Sequence, residues 1–517
     1  MPIPDLRVRA LNSHAIRSES DYVLYWMVAN RRLRWNFSLD RAVHWAKELK
    51  KPLLILEALR TDYRWASDRL HRFVIEGMCD NASARLPAGV RYYPYVEPKQ
   101  GAGRGLVAAL ARRAAVIVSD DFPCFFLPRM LEAAARRANV RFEAVDSNGL
   151  LPLRATDRVF TLAHSFRRFL QKELLPHLRQ SPRAEPLAGL KLPKHSALPD
   201  DIEQRWPAAT PAGLQLPESL YGSLEIDHQV RPASMKGGSE AADRRLQAFV
   251  EGKLKRYADD RNQPEQDVPS GLSPYLHFGH ISAHEIWDRL TRHEKWTESC
   301  VAEKPSGSAE GWWGMSGPAE GFADQLLTWR ELGYNMCWQQ EYDTYESLPD
   351  WARVTMEEHE GDKRPYLYSI EEFERAETHD PLWNAAQRQL VREGLIHNYL
   401  RMLWGKKIYE WSANGRDALE TMIHLNNKYA VDGRNPNSYS GIGWVLGRYD
   451  RAWGPERKIF GKLRYMTSEN TAKKVRVKRY LETYSAAGPP GLTRVACDGG
   501  PNRSIHSFGA KLARTER

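Results

Sequence analysis

Three tryptophans stand where an electron could travel. In GLIHNYLRMLWGKKIYEW, Trp404 and Trp411 are seven residues apart, two helical turns and about 10 Å of rise on nearly one face. A third, Trp383, follows Asp380 and Pro381 in HDPLWNAAQRQL, an N-cap and first-turn pair that opens a helix. Indoles spaced in this way beside a redox centre relay an electron in short hops. With 17 tryptophans in the chain, large buried rings are also ordinary core, so spacing alone leaves both readings open. In GFADQLLTWREL, Gln325 and Trp329 are four residues apart, which predicts one shared helical face. An amide there donates or accepts a hydrogen bond but lends no proton. Residues 457–479 carry Arg457, Lys458, Lys462, Arg464, Lys473, Lys474, Arg476, Lys478 and Arg479 against the single acid Glu469, a surface suited to phosphates. Phe460 and Tyr465 interleave with it and are expected to pack.

These residues need a scaffold, and the chain changes character along its length. The first 150 residues alternate apolar runs, at 22–27, 52–59, 90–96, 114–121 and 140–146, with amphipathic stretches; that rhythm predicts a parallel α/β sheet. GAGRG (101–105) lacks the frame of a dinucleotide fingerprint and reads as a plain loop. Prolines crowd residues 180–240, which suits a long connector, and from about 241 the pattern is helical. The Gly/Ser/Pro-rich stretch 303–320 predicts an exposed loop. Past 484 the pattern loses periodicity, as in a disordered tail. The expected organisation is an α/β domain over 1–175, a connector over 176–240, a helical domain over 241–484 and a tail over 485–517.

Composition narrows the partners. A net charge of +10 favours a polyanion. The five cysteines are scattered without C-x-x-C spacing, against a disulfide framework or a zinc site. There is no apolar run of membrane length and no secretory h-region, so the expectation is a cytosolic protein that does not enter a membrane.

The words LSPYLHFGHIS, DPLWNAAQ, HNYLRMLWGKKIYEW, YAVDGRNPNSY and FGKLRYM, in this order, resemble the photolyase/cryptochrome flavoproteins, most closely the class II cyclobutane pyrimidine dimer photolyases. The likeness runs from about residue 6 to 481. It implies an N-terminal α/β antenna domain with a Rossmann-like sheet and a helical domain holding FAD. It also implies UV-damaged DNA as partner, a monomeric enzyme, and light-driven electron transfer from reduced FAD into a flipped-out dimer. Tyr257, Ser270, Leu272 and Ser273 match the family's flavin phosphate and ribityl contacts. Arg401 and Asp432 match the ion pair beside the isoalloxazine, and Asn426 the side chain facing flavin N5. Asn427 replaces the Asp usual in the class. Trp404, Trp383 and Trp411 match the photoreduction triad, with Trp404 nearest the flavin and Trp383 intermediate. Trp329 and Trp444 match two aromatics that flank the dimer, while Asn398 and Met402 resemble the pattern for cyclobutane dimers. Arg464, Lys473 and Lys474 are expected on DNA. Gln325 departs from the Glu that cyclobutane photolyases carry, and (6-4) photolyases have a Gln in a comparable word. The resemblance thus leaves (6-4) repair and a cryptochrome-like sensor as competing readings. An antenna chromophore such as a deazaflavin fits the class, although residues 1–150 show no motif that would hold one.

Overall fold

The computed structural model describes residues 3–487; all but the first three residues of the expected tail lie outside that range. Six strands form one sheet: β1 (Val8–Ala10), β2 (Tyr22–Met27), β3 (Leu53–Leu59), β4 (Val90–Val96), β5 (Ala114–Asp120) and β6 (Phe142–Val145). Their order is β1-β6-β5-β2-β3-β4. Every pairing is parallel except β1 with β6, where Val8 faces Val145 in antiparallel register. The short edge strand is the departure from the parallel sheet read from the sequence. Three residues suffice to pair an edge, but they are too few to show a period. β2, β5 and β6 are buried along their whole length, as expected where helices cover both faces of a parallel sheet.

The strand order reverses between β2 and β5, the crevice where open α/β sheets commonly take ligands. Here the protein fills it. The Asp120 carboxylate, at the end of β5, accepts the N–H groups of Val28, Ala29 and Asn30 at 2.8, 2.8 and 3.0 Å and the Tyr25 hydroxyl at 2.8 Å. GAGRG is likewise held by the protein's own groups, with the Gly103 N–H on Glu97 Oε1 at 2.8 Å.

The proline-rich stretch folds back on the sheet layer through the short helices Asp200–Arg205, Pro211–Gln215 and Pro217–Tyr221. Leu214, Tyr221 and Leu224 pack there with Val74, Ile75 and Met78. From Ser239 onward the chain is helical. The stretch 303–320 is a largely exposed loop as far as Ser316, as expected, but it carries a buried insertion. Trp312 and Trp313 are 3% and 7% exposed, Glu320 takes the Gly311 and Gly314 N–H groups, and a helix starts at Gly317. The apolar area of two indoles outweighs the turn-forming composition around them.

One apolar cluster contains both Phe142 of the sheet and Leu326 of the helical half. Polar contacts cross the same junction: Arg32 donates to Gly279 O at 3.0 Å and Arg330 to Asn148 O at 2.8 Å. Gly279, in the family-like word LHFGH, has φ +70, and a Cβ there would sit 2.1 Å from Ala29 O; only glycine permits this approach. Glu331 accepts the Leu150 N–H at 2.8 Å, and burial raises its pKa from 4.5 to about 7. Between those values the folded state binds a proton that the unfolded chain has released, so this group's contribution makes stability fall as pH rises. Glu331→Gln should flatten that slope, sparing on the order of 2 kcal/mol between pH 5 and 7. Urea midpoints of both proteins across that range check it. Among the described residues no helix is long and apolar enough to cross a membrane.

Candidate functional site

The helix Asn398–Trp411 organises the site. Its neighbour Pro381–Glu393 starts as its sequence predicts, with Asp380 Oδ1 accepting the N–H groups of Leu382 and Trp383 at 3.0 Å each. That cap sets Trp383 against the first helix. Its Nε1 donates to Trp404 O at 2.9 Å, and its ring meets Trp411 at 5.9 Å between centroids and 70° between planes. Trp404 Nε1 in turn donates to Gln387 at 2.9 Å. All three indoles are buried. Trp383 therefore bridges two tryptophans that helical rise holds apart.

One turn before Trp404 lies Arg401, whose NH2 is 3.3 Å from Asp432 Oδ1. The other carboxylate oxygen accepts the Ser273 hydroxyl at 2.7 Å. Three matched residues from distant words thus meet at one carboxylate. Arg401 Nε is buried and makes no hydrogen bond among the described residues, a cost of about 1–3 kcal/mol unless a ligand meets it. Asn426 is buried in the helix Gly415–Tyr429, its amide donating to Asn427 Oδ1 at 3.3 Å. Asn427 also holds the following loop in place. Its Oδ1 takes the Arg434 N–H at 2.7 Å, and its Nδ2 donates to Tyr439 at 3.2 Å. An Asp at 427 would accept but could not donate to that tyrosine.

Ser270, Gly271, Leu272 and Ser273 make a turn with Gly271 at φ +66, and the Arg245 guanidinium lies so close that a Cβ on Gly271 would be 2.5 Å from it. A half-exposed cation against a turn rich in N–H groups suits a diphosphate. Arg245 carried no signal in the sequence, since it stands in an ordinary amphipathic helix 26 residues before Gly271. Tyr257 is buried edge-on to Phe249 and Phe322. The orphaned Arg401 nitrogen, the Arg401–Asp432–Ser273 cluster and the Arg245-backed turn fit FAD.

Asn398, Met402 and Lys406 are spaced four apart on the same helix, hence on one face. Lys406 is fully buried, with its pKa lowered to about 7 by burial, and its Nζ donates to Val445 O at 2.5 Å. This ties the face to the end of the helix Pro436–Val445, next to Trp444. Trp444 and Trp329 do not stand apart as two flanking rings. They stack on one another, 4.9 Å between centroids and 26° between planes, and make a single aromatic wall.

Nor is the Gln325 stretch an ordinary α-helix. Asp324–Trp329 is a π-turn, whose backbone hydrogen bonds span five residues rather than four and so widen the helix locally. Trp329 sits over Asp324, whose Oδ2 accepts its Nε1–H at 3.1 Å. The half-buried Gln325 amide bonds no other described side chain. Arg464, Lys473 and Lys474 are exposed, with Arg464 over the Trp453 ring at 4.9 Å; Phe460 and Tyr465 pack edge-on at 4.9 Å. Ser468 donates to Asp380 Oδ2, anchoring this basic segment on the Trp383 cap.

No protein-family model matches the chain. Individual relatives do. A deoxyribodipyrimidine photo-lyase of Methanothermobacter thermautotrophicus is 32% identical over 482 residues, 92% of this chain and 97% of that protein. Another, from Oryza sativa subsp. japonica, is 33% identical over 478 residues, 89% and 86% of the two chains. Among solved structures, the class III photolyase of Agrobacterium tumefaciens superposes with a TM-score of 0.63 at 17% identity, over 92% of this chain and 88% of that one. A Synechocystis sp. cryptochrome does so at 0.62 and 15%, over 92% and 89%. The fold is theirs, and with a relative of this identity matched along nearly its whole length, the chain belongs to the deoxyribodipyrimidine photo-lyases of the photolyase/cryptochrome family.

Proposed function

We propose that this protein is a light-dependent photo-lyase that reverses cyclobutane pyrimidine dimers in DNA, with FAD as its catalytic cofactor. The observation that carries the reading is the meeting of Arg401, Asp432 and Ser273 beside three contiguous tryptophans, in a chain of photo-lyase kinship. Reduced FAD, when bound, supplies the photoexcited electron that opens the cyclobutane ring and regains it afterwards. The protein supplies position and field. Arg401 places a cation beside the ring and Asp432 orients that cation, while Asn426 offers an amide that donates or accepts as the redox state changes. Trp404, Trp383 and Trp411 carry electrons inward to keep the cofactor reduced. A base inside a duplex cannot reach a buried cofactor, so the dimer is extruded against Trp329 and Trp444, with Asn398 and Met402 beneath it; stacking contributes roughly 1–3 kcal/mol per base. Arg464, Lys473 and Lys474 hold backbone phosphates. A deazaflavin in the N-terminal half would extend light capture, and the enzyme acts as a monomer.

The test is illumination of the flavin-loaded, reduced protein with oligonucleotides bearing a cyclobutane dimer or a (6-4) photoproduct. Loss of the cyclobutane dimer in light and not in darkness is the expected result. Repair of the (6-4) product alone would overturn the lesion assignment, and repair of neither would leave a light-sensing role. Gln325 tunes the yield. Its amide hydrogen-bonds a dimer carbonyl without lending a proton, so Gln325→Glu should raise the quantum yield on cyclobutane dimers by about two- to fivefold. An unchanged or lower yield would remove Gln325 from the lesion.

A further inference from the structure

The aromatic wall needs something to set its plane, because a ring held by stacking alone can turn about its side-chain torsions. The π-turn brings Asp324 beneath Trp329, and its carboxylate takes the indole N–H at 3.1 Å. That carboxylate is itself pinned. Arg167, from the helix Ala163–Leu178, donates through Nε to Oδ1 at 2.7 Å and through NH2 to Oδ2 at 3.1 Å. Its remaining nitrogen donates to Gly307 O at 3.2 Å, so the guanidinium is anchored on both sides. The bidentate pair is largely buried, with side chains 13% and 11% exposed. No such hydrogen bond reaches the Trp444 indole among the described residues, so Trp329 is the fixed ring of the stack and Trp444 lies on it.

We infer that Asp324, held by Arg167, is a positioning residue that fixes the indole plane of Trp329 and thereby the wall against which an extruded lesion is recognised. The inference rests on the reading of Trp329 as a lesion contact. It makes Asp324 matter only through the indole N–H. In Asp324→Asn the amide oxygen turns to Arg167, leaving an NH2 group facing the indole N–H, two donors that repel.

The experiment uses the full-length, flavin-loaded protein and measures Kd for one duplex with and without a cyclobutane dimer. Asp324→Asn should raise Kd for the lesion duplex about three- to tenfold and leave undamaged DNA and flavin content unchanged. In a Trp329→Phe background the same change should cost less than about twofold, because phenylalanine has no N–H. Equal losses in both backgrounds, a matching loss on undamaged DNA, or no loss at all would overturn the role of Asp324. If Trp329→Phe alone leaves lesion binding intact, the lesion reading of Trp329 fails, and this inference with it. Should Asp324→Asn not fold, Arg167→Gln keeps the carboxylate but unpins it, and carries the same test with the same outcomes.

Discussion

Trp383→Phe should cut light-driven reduction of the bound flavin by at least about 100-fold while leaving repair by chemically pre-reduced protein near normal. Trp383 alone of the three contacts both others, through its N–H to the Trp404 backbone carbonyl and its ring against the Trp411 ring. Phenylalanine keeps most of the packing but is much harder to oxidise. Raising the barrier of one hop by only about 2.7 kcal/mol already costs 100-fold in rate. Because Trp383 is fully buried, the smaller ring also costs roughly 1–3 kcal/mol of stability, so flavin content and melting are measured alongside. A variant that photoreduces at the original rate with its flavin in place would show that electrons bypass Trp383.

Asp432→Ala should release the flavin, with Kd for FAD rising about 10- to 100-fold, the equivalent of losing 1.5–3 kcal/mol in a charge-assisted contact. Asp432 is the one partner shared by Arg401 and Ser273. Without it the Arg401 guanidinium, one nitrogen of which is already unpartnered, keeps its charge in a largely buried place, which is costly. Asp432→Asn retains an acceptor for one of the two and should fall between. Flavin-to-protein ratios after gel filtration, then titration of stripped protein with FAD, decide this. Stoichiometric retention by the alanine variant would assign the pair to structure alone.

Local chemistry made much of this protein legible from its residues. Asp380 and Pro381 announce a helix start, and both capping hydrogen bonds are made. Apolar runs long enough to span a sheet became β2 to β6, since strands covered by helices on both faces favour apolar and aromatic residues. The words around Arg401 and Asp432 pointed to one site. Where composition competed with burial, the reading was incomplete: EGWWG is a loop, but its two indoles turn inward into a core.

The elements, the caps, the family and the chemistry on offer were readable in the chain alone, because they depend on neighbours within a few residues. Which groups face one another was settled by the packed fold. It set the Asp324 carboxylate under the Trp329 indole N–H, within a π-turn that no local propensity forces. It stacked Trp329 on Trp444, laid Arg245 on Gly271 and brought Arg167 across 157 positions to Asp324. Contacts at such separation are specified by the fit of a whole core, and no short stretch of chain contains that information.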